Sequence, residues 1–98
     1  MPHFFLRLNG PRPTFPADIT DAERAVMAEH GAYWRVLTDK GTCIVLGPVM
    51  DPKGVFGMAV VEVANEAEAR ALTDGDPTTR AKLGSWDVLP MPTAMVRK

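Results

Sequence analysis

Residues 20 to 41, Thr-Asp-Ala-Glu-Arg-Ala-Val-Met-Ala-Glu-His-Gly-Ala-Tyr-Trp-Arg-Val-Leu-Thr-Asp-Lys-Gly, read as one helix with both of its ends written into the sequence. Thr20 and Glu23 have the spacing of a capping box, so the helix starts at Thr20. Lys40 suits the negative end of the helix dipole, and Gly41 can take the left-handed conformation that closes a helix. Within it, positions 26, 30, 33 and 37 project from one side, and Ile19, Val26, Tyr33 and Leu37 make that side an apolar stripe. His30 interrupts the stripe. A ring with an unperturbed pKa of about 6.5 is thereby pointed at whatever the helix covers, and beside a carboxylate such a ring is a usable base. A buried histidine satisfied by one hydrogen bond would carry the same pattern.

The flanking segments set the order of elements. Residues 3 to 9 alternate as a first strand, with Phe4, Leu6 and Leu8 on one face and His3, Phe5 and Arg7 on the other. Pro11, Pro13 and Pro16 make residues 10 to 16 an extended surface crossing, under which Phe15 can tuck. After the helix, Thr42 to Leu46 reads as a second strand. The turn-rich stretch Gly47 to Gly54 then leads to a third, Phe56 to Val63, so that the two pair antiparallel. Asn65 and Glu68 repeat the capping pattern and open a short helix to about Thr73 or Asp74. Asp76-Pro77 starts a brief helix over 77 to 83, and Trp86 to Val96 forms the last strand. Pro90 and Pro92 place that strand at an edge or a bulge. The order β-α-β-β-α-β predicts an α+β, ferredoxin-like fold: a four-stranded antiparallel sheet with helices on one face.

A chain of 98 residues supports a single domain, 1 to 98, with one modest core. Apolar side chains left on the uncovered face of the sheet lead us to expect a homodimer. Eleven basic and twelve acidic residues, without a basic cluster, argue against nucleic acid as a partner. No apolar run approaches the ~20 residues of a membrane span. The opening Met-Pro-His-Phe-Phe lacks the basic start of a signal peptide, so a soluble, cytoplasmic protein is expected. Cys43, the one cysteine, sits in a strand-like run and reads as a small buried hydrophobe. Two histidines without metal-ligand spacing give no case for a metal. The glycines form no phosphate-binding loop and Ser85 sits in no nucleophile motif, so no cofactor is implied.

His30-Gly-Ala-Tyr33-Trp34, Gly41, Gly47-Pro48 with Asp51, and Asp76-Pro77 together resemble the YCII (YciI-like) family over nearly the whole chain. The resemblance implies a ferredoxin-like fold that dimerises into an α/β barrel, and a His and Asp active site. Carried over, the family's helical histidine falls on His30, the acid of its Gly-Pro loop on Asp51, and its Asp-Pro aspartate on Asp76. One branch of the family is similar to enzymes that remove chloride from chlorinated aromatic degradation products, and the wider superfamily includes isomerases.

Two functional readings follow. In one, the chain is a small-molecule enzyme of lyase, dehydrochlorinase or isomerase type, in which His30 abstracts a proton and Asp51 or Asp76 orients it, with Tyr33 and Trp34 contacting the ligand. In the other it is a non-catalytic dimeric module that binds a metabolite or is purely structural. Local roles compete with the catalytic ones: Asp51-Pro-Lys-Gly is ordinary turn chemistry, and Asp76 is well placed to cap the segment that begins at Pro77.

Overall fold

The computed structural model describes residues 1 to 97. Its elements run β1 (His3–Asn9), α1 (Asp21–Asp39), β2 (Cys43–Val49), β3 (Phe56–Glu62), α2 (Glu66–Asp74), α3 (Pro77–Arg80) and β4 (Ser85–Met91). The four strands form one antiparallel sheet in the order β2-β3-β1-β4, the ferredoxin-like arrangement.

Local chemistry accounts for the helix ends. The Thr20 hydroxyl accepts from the Glu23 amide at 3.1 Å while the Glu23 carboxylate accepts from the Thr20 amide at 2.9 Å. Lys40 is the last cap, and Gly41 turns the chain away at φ +88°. Asn65 caps α2 through the Glu68 amide at 2.9 Å. In β1 the alternation is complete: Phe4, Leu6 and Leu8 are buried, and their cross-strand neighbours Val61, Ala59 and Val88 join them beneath α1 and α2. Trp34 and Leu37 drive into this layer from α1, so the inward face centres about one residue C-terminal to Tyr33 in the expected stripe. Cys43 is buried in the same cluster, where loss of water raises its thiol pKa.

β2 starts one residue late, at Cys43, β4 one residue early, at Ser85, and four elements end elsewhere than the sequence reading puts them. β2 does not stop at Leu46 but continues through Gly47, Pro48 and Val49, which pair with Met58, Gly57 and Phe56. Pro48 is tolerated because β2 is an edge strand and its missing N–H faces no neighbour. β3 ends one residue early, at Glu62. α3 stops at Arg80 rather than 83, because Lys82 adopts a left-handed φ of +56° and the Leu83 amide turns back to the Thr78 carbonyl at 2.8 Å. β4 ends at Met91 instead of Val96. Met91 pairs with His3, the first residue of β1, so the ladder has no partner beyond it. Thr93 at φ +56° then bends the chain away.

Candidate active site

His30 and Trp34 lie one helical turn apart on α1 and meet the junction of α2 and α3. There Asp76 is the N-cap of α3, with Pro77 in the first turn, the pairing favoured at a helix start. Its Oδ1 accepts from the Thr78 amide at 2.8 Å, which is the capping bond. Its Oδ2 faces α1 and takes two further contacts, from His30 Nδ1 at 2.8 Å and from the Trp34 indole N–H at 2.5 Å. Asp76 is fully buried and the His30 side chain is 13 % exposed. Burial alone would raise the Asp76 pKa. The hydrogen bonds from His30, the Thr78 amide and Trp34 outweigh it and hold the group below the ordinary carboxylate range.

An ionised carboxylate accepts and cannot donate, so its bond to His30 fixes the proton on Nδ1. In a neutral ring so held, Nε2 is the nitrogen that carries the lone pair. His30 also lines an open-mouthed cavity of about 350 Å³ bordered by α1, the proline loop and one end of the sheet. Phe15, Ile19, Met27, Leu46, Val55 and Trp86 supply most of its apolar wall. Trp86 stacks obliquely between the two α1 rings, its centroid 6.3 Å from His30 and 5.9 Å from Trp34, and its indole N–H donates to the Thr78 hydroxyl at 3.3 Å. The proline loop is tied down by Arg12. This side chain bonds the Asp18 carboxylate at 3.0 Å and the Glu23 carboxylate at 2.7 Å and 2.8 Å, and packs over the Phe15 ring. The capping carboxylate of α1 thus also anchors the cavity's outer wall.

The structure separates the residues singled out from sequence. It joins His30 to Asp76. Asp51 serves its turn: its carboxylate accepts from the Lys53 amide at 2.9 Å and its carbonyl from the Gly54 amide at 2.9 Å, and it is not part of the cavity lining. Trp34 acts on Asp76 rather than lining the cavity, and is fully buried. Tyr33 packs away from the cavity, donating its hydroxyl to the Leu72 carbonyl at 2.7 Å. Loss of water and the nearby Asp76 charge both raise its pKa. Trp86, Thr78, Met27 and Leu46 were not singled out as site residues. Alternation from Val88 places Trp86 on the covered face, and Met27 precedes His30 by one turn, so both positions had a sequence signal. Among the described residues, no cluster of three or more His, Cys, Asp or Glu side chains could hold a metal ion. None of the helices described is long and apolar enough to cross a membrane.

Residues 3–92 match the YCII-related domain, and the chain belongs to that family. No curated protein matches the sequence. Among solved structures the chain is similar to 5-chloro-2-hydroxyhydroquinone dehydrochlorinase from Burkholderia phenoliruptrix AC1100, in complex with 2,5-dihydroxybenzoquinone. The match has a TM-score of 0.66 and 20% identity, over 88% of this chain and 89% of that one.

Proposed function

We propose that this YCII-related chain is a small-molecule enzyme in which His30 is a general base for proton abstraction or elimination. The observation that carries the reading is the 2.8 Å contact between His30 Nδ1 and the buried Asp76, on a ring that also lines the cavity. Nε2 would take a proton from a bound carbon acid or hydroxyl. In an elimination the electron pair released expels a leaving group such as chloride, and in an isomerisation the proton returns at another carbon. Asp76 would stabilise the imidazolium and keep the ring oriented, and Trp34 and Thr78 would keep Asp76 in place. The similarity in fold to a dehydrochlorinase makes chloride release from 5-chloro-2-hydroxyhydroquinone the first assay. Turnover by the wild type that falls roughly 100-fold or more in His30→Ala, with the fold retained, is the expected result. Unchanged turnover in that variant removes His30 from the chemistry, and ligand binding without product favours the non-catalytic module.

We further propose that two copies pair through the open face of the sheet. Phe5, Met58, Phe56 and Val60 lie on that face, half-buried, beside the more exposed Leu89. Arg7 stands among them, its guanidinium 4.9 Å from the Phe56 ring centre, with Nε buried and without an acceptor. A second copy would cover these side chains together with Arg7 and its cross-strand neighbour Asp87 on the same face. Light scattering at micromolar concentration tests this, and a monomer refutes it. A cytoplasmic location fits the single buried cysteine.

A further inference from the structure

We infer that the cavity takes an uncharged, largely apolar molecule of about one substituted ring, carrying a weakly acidic C–H or O–H, and discriminates against molecules that arrive as carboxylates or phosphates. The acidic hydrogen rests on the reading of His30 as a base. The discrimination by charge rests on the lining alone.

His30 is the one titratable side chain among the residues that line the cavity, and no lysine or arginine joins it. The charge in contact with His30 has the wrong sign for an anion. Asp76 lies directly behind the ring, ionised by the donors of His30, Trp34 and Thr78. With the imidazole neutral, the site therefore presents net negative charge to anything that enters. The Arg12 guanidinium, the cation nearest to this wall in the loop, is spent on Asp18 and Glu23. An anion would lose its hydration to Phe15, Ile19, Met27, Leu46 and Trp86 and meet no lysine or arginine on the wall itself, the Arg7 guanidinium standing beyond the ring of Phe56. A neutral molecule loses little and buries its apolar surface. When Nε2 takes a proton, imidazolium and ligand anion form together, so the pocket supplies the counter-charge only as the reaction creates it. The volume agrees. An apolar protein cavity of about 150 Å³ holds benzene, so about 350 Å³ leaves room for a ring with substituents.

Phenol and benzoate are a matched pair for the test, since both carry one benzene ring and only benzoate is charged at pH 7.5. Each is titrated into the wild-type protein while NMR follows the Met27 and Ile19 methyl groups and the His30 ring. Saturable shifts with phenol, and binding of benzoate at least about 10-fold weaker, are expected from an uncompensated charge in an apolar site. Benzoate binding as tightly as phenol overturns the inference, and so does phenol leaving all three lining residues unmoved. Met27→Lys, which adds a cation one turn from His30, is expected to shift the preference towards benzoate; an unaltered preference also counts against the inference. His30→Gln separates this claim from the catalytic one. Selectivity for phenol that survives in that variant supports the substrate class even if turnover proves independent of His30. Turnover that depends on His30 in a protein indifferent to ligand charge overturns the class and leaves the base standing.

Discussion

Asp76→Asn keeps the shape of the side chain while removing its charge and one acceptor. The carboxylate receives three donors, Thr78 N–H on Oδ1 and both His30 Nδ1–H and Trp34 Nε1–H on Oδ2. An amide offers one oxygen and one NH₂. With its oxygen toward α1, the NH₂ opposes the Thr78 amide and the cap of α3 is lost. With the amide turned round, the cap survives, the Trp34 N–H faces another donor, and His30 can accept only by moving its proton to Nε2. Each arrangement orphans one buried donor, at about 1–3 kcal/mol, and weakens the remaining bonds by removing charge assistance, at ~1 kcal/mol more. The sum is about 2–4 kcal/mol. An unfolding entropy of about 2 cal/mol/K per residue gives ~0.2 kcal/mol/K for 98 residues, so Tm should fall by about 10–20 °C. The turned amide also protonates the nitrogen that would act as base, a change of tautomer that lowers kcat about 10⁴-fold in serine proteases. Circular dichroism melts at pH 7 measure the first effect, and ¹⁵N shifts of the His30 ring show which nitrogen holds the proton. A Tm within about 3 °C of wild type, with the proton still on Nδ1, would refute the argument, since by the scale used above it bounds the loss below ~1 kcal/mol.

Three further outcomes are expected. Asp76 titrates below its ordinary range when folded, so the stability it contributes is present above about pH 4–5 and is lost as pH falls through the folded value. Glu23 behaves likewise, since hydrogen bonds from Arg12 and from the Thr20 amide hold it at about 2. Urea midpoints should therefore drop steeply below about pH 4, and Asp76→Asn should lose less over that interval than the wild type does. Gly84→Ala should destabilise by more than about 1 kcal/mol, because φ is +80° and the new Cβ would run into the Asn9 carbonyl oxygen. Gly31→Ala, in open space on α1, should stabilise by about 0.5–1 kcal/mol, and the two variants together check the backbone in one pair of denaturation curves. Arg12→Met should release the proline loop and weaken phenol binding in the NMR titration, while a melt that stays cooperative shows that the fold is retained.

The fold was legible wherever a local signal was also the deciding one. Capping residues at Thr20, Asn65 and Asp76 mark helix starts because an orphan amide is satisfied within three residues, with no need of the rest of the molecule. Alternation in β1 worked because both faces of that strand meet different environments. The misplaced ends of β2 and β4 depended on partners. Gly47-Pro48 is strong turn chemistry, yet an edge strand tolerates it, and the edge position of β2 is set by the order of all four strands. The choice between Asp51 and Asp76 had the same character. Both precede a proline and both satisfy a local amide, so nothing within a few residues distinguishes them. What does is that α3 packs against α1, which carries the cap of α3 to the ring of His30.

That packing makes one carboxylate serve two purposes. Oδ1 caps the start of a helix and Oδ2 orients a ring, so any change at Asp76 alters the fold and the candidate chemistry together. Stability lost at Asp76 is therefore weak support for a catalytic role, because a purely structural histidine would give the same result. His30 is different. Its ring contributes one bond to Asp76 and one wall of the cavity, while Asp76 keeps the donors of Trp34 and Thr78 when the ring is removed. Replacing His30 should thus cost no more than one charge-assisted hydrogen bond and some packing, about 1–3 kcal/mol, and leave α3 capped. A large loss of turnover against that small loss of stability is a combination that a structural histidine cannot produce.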